Sequence, residues 1–196
     1  MPPAKKATTK KAAPVAAKKP KPASAKEPTV AETIAAFIEL PGPAVGDPAP
    51  DFELESTEGG PIRLRDFAGK SSVVLYFYPK DDTPGCTKEA CEFSRSLAAL
   101  RKRGAAVLGV STDSLKSHVK FASKFDLAFP LLSDPDGEVS RRYGAYKRRS
   151  MYGRTYLGIE RSTFLIDKKG QVAAAWRAVK VDGHVAEVLA ALEKAQ

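Results

Sequence analysis

The chain has 196 residues, which is enough for one domain of ordinary size with additional material. Hydrophobic residues make up 43% of it, and the net charge is +9, of which residues 1–26 supply +8 through eight Lys and no Asp or Glu. The sequence has no uncharged apolar run near the length of about 18 residues that a membrane span needs, and no continuous apolar core of a secretory signal. We therefore predict a cytoplasmic protein without a membrane contact.

The first segment, residues 1–28, consists almost wholly of Ala, Lys, Pro, Ser and Thr, and this composition predicts a disordered basic tail. Its function stays open between a solvating tail, a weak nucleic-acid contact of its lysines with phosphates, and a targeting peptide. The segment has no Arg and no aromatic residue, which disfavours base contacts and targeting. A lysine-rich arm is also compatible with association with a nucleoid or a nucleus.

A short helix and a linker are predicted at residues 29–43. Thr29 and Glu32 have the spacing of a capping box, and a segment rich in Pro and Gly begins at Pro41, before which the helix should end. One helical face collects the apolar residues Val30, Ile34, Phe37 and Ile38. The folded domain is then expected to span residues 44–196.

Strands and helices alternate in this domain. Residues 52–56 and 62–65 flank the turn TEGG and predict a hairpin, and SSVVLYFY, from Ser71 to Tyr78, is typical of a buried central strand. Further helices are predicted at residues 86–101, 115–125, 138–143 and 184–193, further strands at 105–110, 163–167 and 171–176, and a basic loop at YKRRSMYGRTY. This order predicts an α/β fold, with a mixed sheet covered by helices on both faces.

The two cysteines of the chain, Cys86 and Cys91, follow the central strand. In TPGC, Thr83 can cap a helix and Pro84 can occupy its first position, which places Cys86 in the first turn. Unpaired backbone N–H groups at that point stabilise a thiolate. On an intact helix the two Cα atoms would be about 8.7 Å apart, whereas a disulfide needs roughly 4.4 to 6.8 Å. The helix is therefore expected to hold two separate thiols, and a bond between them requires partial unwinding.

Four interpretations of the cysteine pair compete, and buried structural cysteines are the simplest. A zinc site is disfavoured because His118 and His184 are the only histidines and the spacing matches no zinc motif. A dithiol oxidoreductase would normally carry Cys-x-x-Cys, whereas four residues intervene here. A nucleophilic cysteine that is oxidised to a sulfenic acid and then resolved by a second thiol fits both positions, and we favour it.

The segment YFYPKDDTPGCTKEACEF resembles the active-site segment of the peroxiredoxins, and in particular of their bacterioferritin comigratory protein or Q group. Pro79, Thr83 and Cys86 match the Pro-x-x-x-Thr-x-x-Cys pattern of that family. Four further segments are similar in order and spacing: VGDPAPDFEL, GVSTDS, FPLLSDPDG and MYGRTYLGIERSTFLID. The resemblance begins near Ala44, runs to the C-terminus and leaves out the tail and the first helix.

The resemblance implies a thioredoxin-like fold with an N-terminal β extension, and a thiol-dependent peroxidase that reduces hydrogen peroxide and organic hydroperoxides. Cys86 would be the peroxidatic nucleophile and Cys91 the resolving cysteine, and thioredoxin or a similar dithiol protein would reduce their intramolecular disulfide. Thr83 would hydrogen-bond near the sulfur and the peroxide, Arg161 would stabilise the thiolate, and Pro79 would shield it. No cofactor and no metal is needed, because the sulfur itself changes oxidation state. Members of this group are often monomers, so a monomer is expected.

The other polar residues near the motif are expected to have no catalytic role. A solvated charged face is predicted for Lys80, Asp81, Asp82, Lys88 and Glu89. His118 and His184 are predicted on helix surfaces without a function, and Trp176 is expected to pack at the end of a strand.

Overall fold

The computed structural model describes residues 29–151 and 153–195, so the predicted disorder of residues 1–28 lies outside the described residues. In chain order the elements are α1 (Val30–Ala36), β1 (Glu53–Ser56), β2 (Gly60–Arg63), β3 (Ser72–Phe77), α2 (Pro84–Lys102), β4 (Ala105–Ser111), α3 (Leu115–Phe125), β5 (Leu131–Ser133), α4 (Glu138–Arg142), β6 (Tyr146–Met151), β7 (Arg154–Ile159), β8 (Ser162–Ile166), β9 (Val172–Trp176) and α5 (His184–Lys194). No helix in these ranges is both long and apolar enough to cross a membrane.

The central strand of the main sheet is β3, as its apolar run predicts. All six of its residues are buried, because it lies between the parallel strand β4 and the antiparallel strand β8. The full order is β2-β1-β5-β4-β3-β8-β9, so the first hairpin extends the sheet at one edge and β9 ends it at the other. This mixed sheet confirms the predicted α/β fold.

Helices cover both faces of the sheet. On one face, α2, α3 and α5 pack over Tyr76, which stacks on Phe93 with ring centroids 4.8 Å apart. On the other face, α4 and the segment after it cover Phe77, whose ring lies 5.2 Å from that of Tyr143 and 5.9 Å from that of Phe164. Alternate residues of β3 therefore enter two separate cores, which fix the position of the loop that follows the strand.

The structure differs locally from the predictions at three places. Leu131–Ser133 form β5, where no strand was predicted. The first helix ends earlier than predicted, since α1 spans Val30–Ala36. The basic segment predicted as a loop is an antiparallel hairpin, β6–β7, in which Tyr146 pairs with Ile159 outside the main sheet. The segment has many charged residues and few apolar ones, so its sequence lacks the apolar pattern that predicts a strand. The hairpin packs against α1, and Arg148 joins the two by donating to the carbonyl of Ile34 at 3.1 Å.

The two histidines are buried, which contradicts their predicted place on helix surfaces. His118 and His184 are 0% and 2% exposed. His118 shares the inner face of α3 with Phe121, whereas Val119 is 49% exposed. Nε2 of His184 lies 2.8 Å from Oγ1 of Thr163, and burial lowers the pKa of this histidine to about 4. Polar side chains are expected at the surface, but both histidine rings lie on the inner face of their helix and have hydrogen-bond partners in the core.

Replacement of Gly109 by Ala should destabilise the fold, because the neighbouring side chains leave no room for a Cβ atom. That atom would lie 2.7 Å from Oη of Tyr76 and 2.8 Å from Cδ2 of Leu131. We expect Gly109→Ala to lower the free energy of unfolding, measured in urea, by about 1–3 kcal/mol. Gly60→Ala is the control, since nothing lies within 4 Å of its Cβ position. Equal effects of the two substitutions would contradict this account of the packing.

Candidate active site

The loop after β3 leads directly into α2 and sets the position of its first turn. Thr83 is the N-cap residue, with φ −95° and ψ 150°, and Pro84 is the first helical residue. The hydroxyl of Thr83 makes no capping hydrogen bond to α2, unlike the predicted cap, and instead donates to the carbonyl of Lys80 at 3.1 Å. Cys86 lies in the first turn of α2, as predicted, next to the backbone N–H groups that begin the helix.

Cys86 is nearly inaccessible to solvent and contacts a cationic side chain. It is 2% exposed, and Nη2 of Arg161 donates to its Sγ at 3.3 Å. Arg161 comes immediately before β8, and the pairing of Phe77 with Ser162 places it beside the end of β3. Sheet pairing thus brings together two predicted site residues that are 75 positions apart. A positive charge and helix N–H groups at one sulfur favour the thiolate.

A buried carboxylate also contacts Arg161. Glu89 is 0% exposed, and its Oε2 accepts from Nη1 of Arg161. Its Oε1 has no hydrogen-bond partner among the described residues. Burial raises the pKa of Glu89 to about 7, and Arg161 limits this rise. Burial would lower the pKa of Arg161, but the charges of Glu89 and Cys86 raise it overall.

The predicted solvated position of Glu89 is therefore wrong. The sequence did hold a signal, because Glu89 lies three residues after Cys86 and four before Phe93, so all three share one helical face. A charged side chain is expected to be exposed, but the position of Glu89 on the helix points it into the core. Its burial is possible because Arg161 supplies a partner for the buried charge.

A second buried carboxylate lies in the loop itself. Asp81 is 7% exposed, and its Oδ1 accepts from the hydroxyl of Tyr78 at 2.7 Å. Nδ1 of His118 lies 2.9 Å from its Oδ2. Burial would raise the pKa of Asp81, but hydrogen bonds, led by the one from His118, hold it below its ordinary value. The predicted solvated position of Asp81 is wrong, and no periodicity in a loop could have indicated its burial.

The other three charged residues of this segment, Lys80, Asp82 and Lys88, are exposed, as predicted. Asp82 forms an ion pair with Lys124 of α3, with 2.7 Å between Oδ2 and Nζ. Lys88 forms one with Asp182, in the loop before α5. Exposed pairs of this kind contribute at most about 1 kcal/mol.

The remaining predicted site residues lie in the same helix and loop. Cys91 is partly exposed on the uninterrupted helix α2, and both cysteines are free thiols, in agreement with the predicted geometry. Pro79 is exposed in the loop before α2.

The ring of Trp176 is partly buried and packs against His184, with 5.5 Å between ring centroids. Within the described residues, no group of three or more His, Cys, Asp or Glu side chains could hold a metal ion.

The chain matches a known family over most of its length. A model of the AhpC/TSA family matches residues 45–175, and the chain belongs to this family, the peroxiredoxins, which are thiol-dependent peroxidases. Among them it is similar to proteins named Bcp. The putative peroxiredoxin bcp of Coxiella burnetii is 53% identical over 148 residues, which are 76% of this chain and 97% of the relative. Peroxiredoxin Bcp of Bacillus subtilis is 47% identical over 149 residues, which are 76% of this chain and 94% of the relative.

Solved structures show the same fold. Peroxiredoxin Q of Xanthomonas campestris superimposes with a TM-score of 0.70 and 50% identity, covering 73% of this chain and 90% of that chain. BcpB of Mycobacterium tuberculosis superimposes with a TM-score of 0.70 and 35% identity, covering 79% of this chain and 99% of that chain. These likenesses confirm the thioredoxin-like fold and the resemblance to the Bcp and Q group.

Replacement of Glu89 by Gln should remove a pH dependence from the stability of the fold. The pKa of Glu89 is about 7 in the folded chain, against an ordinary value of 4.5, so the folded state binds the proton more tightly. This group therefore stabilises the fold increasingly as the pH falls through that interval. Between pH of about 7.5 and 4.5, the unfolding free energy of the wild type should rise by roughly 1–3 kcal/mol relative to Glu89→Gln.

Urea unfolding at several pH values measures this difference. The control is Glu55→Gln, in which an exposed carboxylate of β1 is replaced and the pH dependence of the wild type should persist. Parallel pH profiles for the wild type and Glu89→Gln would contradict the predicted titration.

Proposed function

We propose that this chain reduces hydrogen peroxide and organic hydroperoxides with Cys86 as the nucleophile. The observation that supports this most is the sulfur in the first turn of α2 with Nη2 of Arg161 at 3.3 Å. The bacterioferritin comigratory protein of Xanthomonas campestris, whose solved structure is 49% identical to this chain, is described as having an alkyl peroxide reduction activity.

In the first step, the thiolate of Cys86 attacks the terminal oxygen of the peroxide. The S–O bond forms as the O–O bond breaks, and the leaving alkoxide or hydroxide takes up a proton to give an alcohol or water. Arg161 donates to the sulfur and to the charge that develops on the leaving oxygen. The hydroxyl of Thr83 donates to a backbone carbonyl, so its lone pairs remain free to accept from the peroxide O–H. The role assigned to Pro79, in the loop before α2, is to shield the thiolate.

In the second step, the thiol of Cys91 attacks the sulfenic acid on Cys86, which gives a disulfide and water. Both cysteines lie on one helix, so the segment between them has to unwind. That segment carries Glu89, whose ion pair with Arg161 is therefore broken at the same time. A dithiol protein of the thioredoxin type then reduces the disulfide by thiol exchange.

Reduced wild-type protein should lose both thiols and two hydrogens of mass when it is mixed with one equivalent of hydrogen peroxide. Cys86→Ser should not react, because it lacks the nucleophile, whereas Cys91→Ser should still be oxidised and should accumulate a sulfenic acid that dimedone traps. Thiol titration and mass spectrometry measure these outcomes. If Cys86→Ser consumes peroxide at the wild-type rate, Cys86 is not the nucleophile. If Cys91→Ser turns over with thioredoxin at the wild-type rate, Cys91 is not the resolving cysteine.

The same proposal includes a division of the chain, with residues 44–196 as the catalytic domain and residues 29–43 as an attached helix and linker. Arg177 supports this attachment by donating to the carbonyl of Pro43 at 3.3 Å. We also propose a monomer, because the exposed large apolar side chains of the described chain are scattered over the linker, the start of the domain, α3 and β7: Ile38, Leu40, Val45, Val119 and Tyr156. Light scattering should therefore report the mass of one chain.

A second candidate function is attachment to nucleic acid, which the distribution of charge favours. Residues 1–26 contain eight Lys and no acidic residue. The chain then enters α1, which packs against the β6–β7 hairpin. This hairpin carries the basic residues Lys147, Arg148, Arg149 and Arg154. Glu160 pairs with Lys147 and Arg149 and so offsets part of this charge. The lysine-rich segment is therefore the main attraction for phosphates, which bind basic chains without regard to base sequence.

Deletion of residues 1–26 should weaken binding to an arbitrary DNA duplex. The binding constant of the full chain should also fall more steeply with salt, because more counterions are released. Fluorescence anisotropy at several salt concentrations measures both effects, and Arg154→Ala in the truncated chain should lower the residual affinity. Equal binding by both chain lengths, or no binding by either, would remove the segment from this role.

A further inference from the structure

A buried pair links α3 to the loop between β3 and α2. Nδ1 of His118 lies 2.9 Å from Oδ2 and 3.1 Å from Oδ1 of Asp81. Both residues are buried, and the hydroxyl of Tyr78 also donates to Oδ1 of Asp81. The reaction proposed above uses none of these three side chains, although the pair lies in the segment that carries the active-site motif.

The atoms around the His118 ring determine which hydrogen bonds it makes. Nε2 lies 3.1 Å from the carbonyl oxygen of Leu132, which can only accept a hydrogen bond. Nδ1 faces the carboxylate of Asp81, which already accepts from Tyr78. Nε2 therefore donates to the carbonyl of Leu132, and Nδ1 lies against the carboxylate of Asp81 and, at 3.3 Å, the hydroxyl of Tyr78. Removal of His118 would leave the buried carboxylate of Asp81 without this partner.

The backbone of Asp81 is held as well. Its N–H donates to Oδ2 of Asp113 at 2.8 Å. The next residue, Asp82, has φ of 55°, in the left-handed region where a residue other than glycine is strained. Such a conformation persists only where its surroundings hold it. The contacts of Asp81 provide that support two residues before Thr83 and five before Cys86.

We propose that the His118–Asp81 pair is a positioning device, through which α3 holds the loop that places Thr83 and Cys86 for the reaction. The inference rests on the proposed reaction at Cys86. Without the pair, the strained turn relaxes and the N-cap of α2 moves. The sulfur then moves away from Nη2 of Arg161. His118 is therefore a positioning residue that acts through Asp81.

The test compares His118→Gln, Asp81→Asn and the double variant, each in the full chain. Stopped-flow measurement of the first oxidation by hydrogen peroxide should give a rate constant about ten- to a hundredfold lower in each single variant. The rate constant of the double variant should be no lower than that of either single variant, because both substitutions break the same contact. Alkylation of Cys86 by iodoacetamide, followed by peptide mass spectrometry, should slow in parallel.

Two controls separate positioning from stability. Lys124→Ala removes the exposed ion pair on the same loop, and Val139→Ala removes buried volume on the opposite face of the sheet. Both should keep the wild-type rate constant, measured where urea curves show the proteins to be folded. If His118→Gln lowers only the free energy of unfolding and keeps the wild-type rate constant, or if the losses in the double variant add, the proposal is wrong.

Nitrogen NMR of the His118 ring gives an independent measurement. The Nδ1 signal should shift in Asp81→Asn, because the carboxylate that it faces is removed, and an unchanged signal would overturn the assigned contact. Failure of the proposed function looks different, because the wild type would then not react with peroxide at all. In that case the alkylation rates of the same variants still decide whether His118 positions Cys86.

Discussion

The contact between the guanidinium of Arg161 and the sulfur of Cys86 is the interaction on which the rest of the site depends. The sulfur is almost fully buried, so little water competes with the guanidinium for this contact. The contact is a consequence of the main sheet, because β8 pairs with β3 and begins beside the loop that carries the motif. Glu89 then holds the other side of the guanidinium. Strand pairing therefore positions the cation, and the start of α2 positions the thiol.

The ion pair between Glu89 and Arg161 also limits the stability of this arrangement. A buried carboxylate with one unpartnered oxygen costs free energy, and its pKa near 7 reflects that cost. Glu89 lies on the part of α2 between Cys86 and Cys91. In the proposed resolving step this part unwinds, so the same contact would contribute both to the stability of the reduced site and to the cost of unwinding.

Two buried side-chain pairs flank the start of α2. Arg161 with Glu89 approaches from β8, and His118 with Asp81 approaches from α3. In each pair a buried carboxylate has a hydrogen-bond partner, which offsets part of the cost of its burial. The first turn of the helix is thus attached to elements on both of its sides, and a strained residue, Asp82, can be maintained in the loop between them.

Most of the order of strands and helices, the start of α2 at Pro84 and the place of Cys86 in its first turn were determined by the sequence itself. Local rules suffice for these features, since a proline at the first helical position and a run of β-branched residues act over a few neighbours. The helical spacing of Glu89 from Cys86 and Phe93 also indicates that its side chain is buried. Only the tertiary structure decided the distance from Arg161 to the sulfur and the anchoring of Asp81 on His118. Both depend on packing between segments far apart in the chain, which no local pattern of residues encodes.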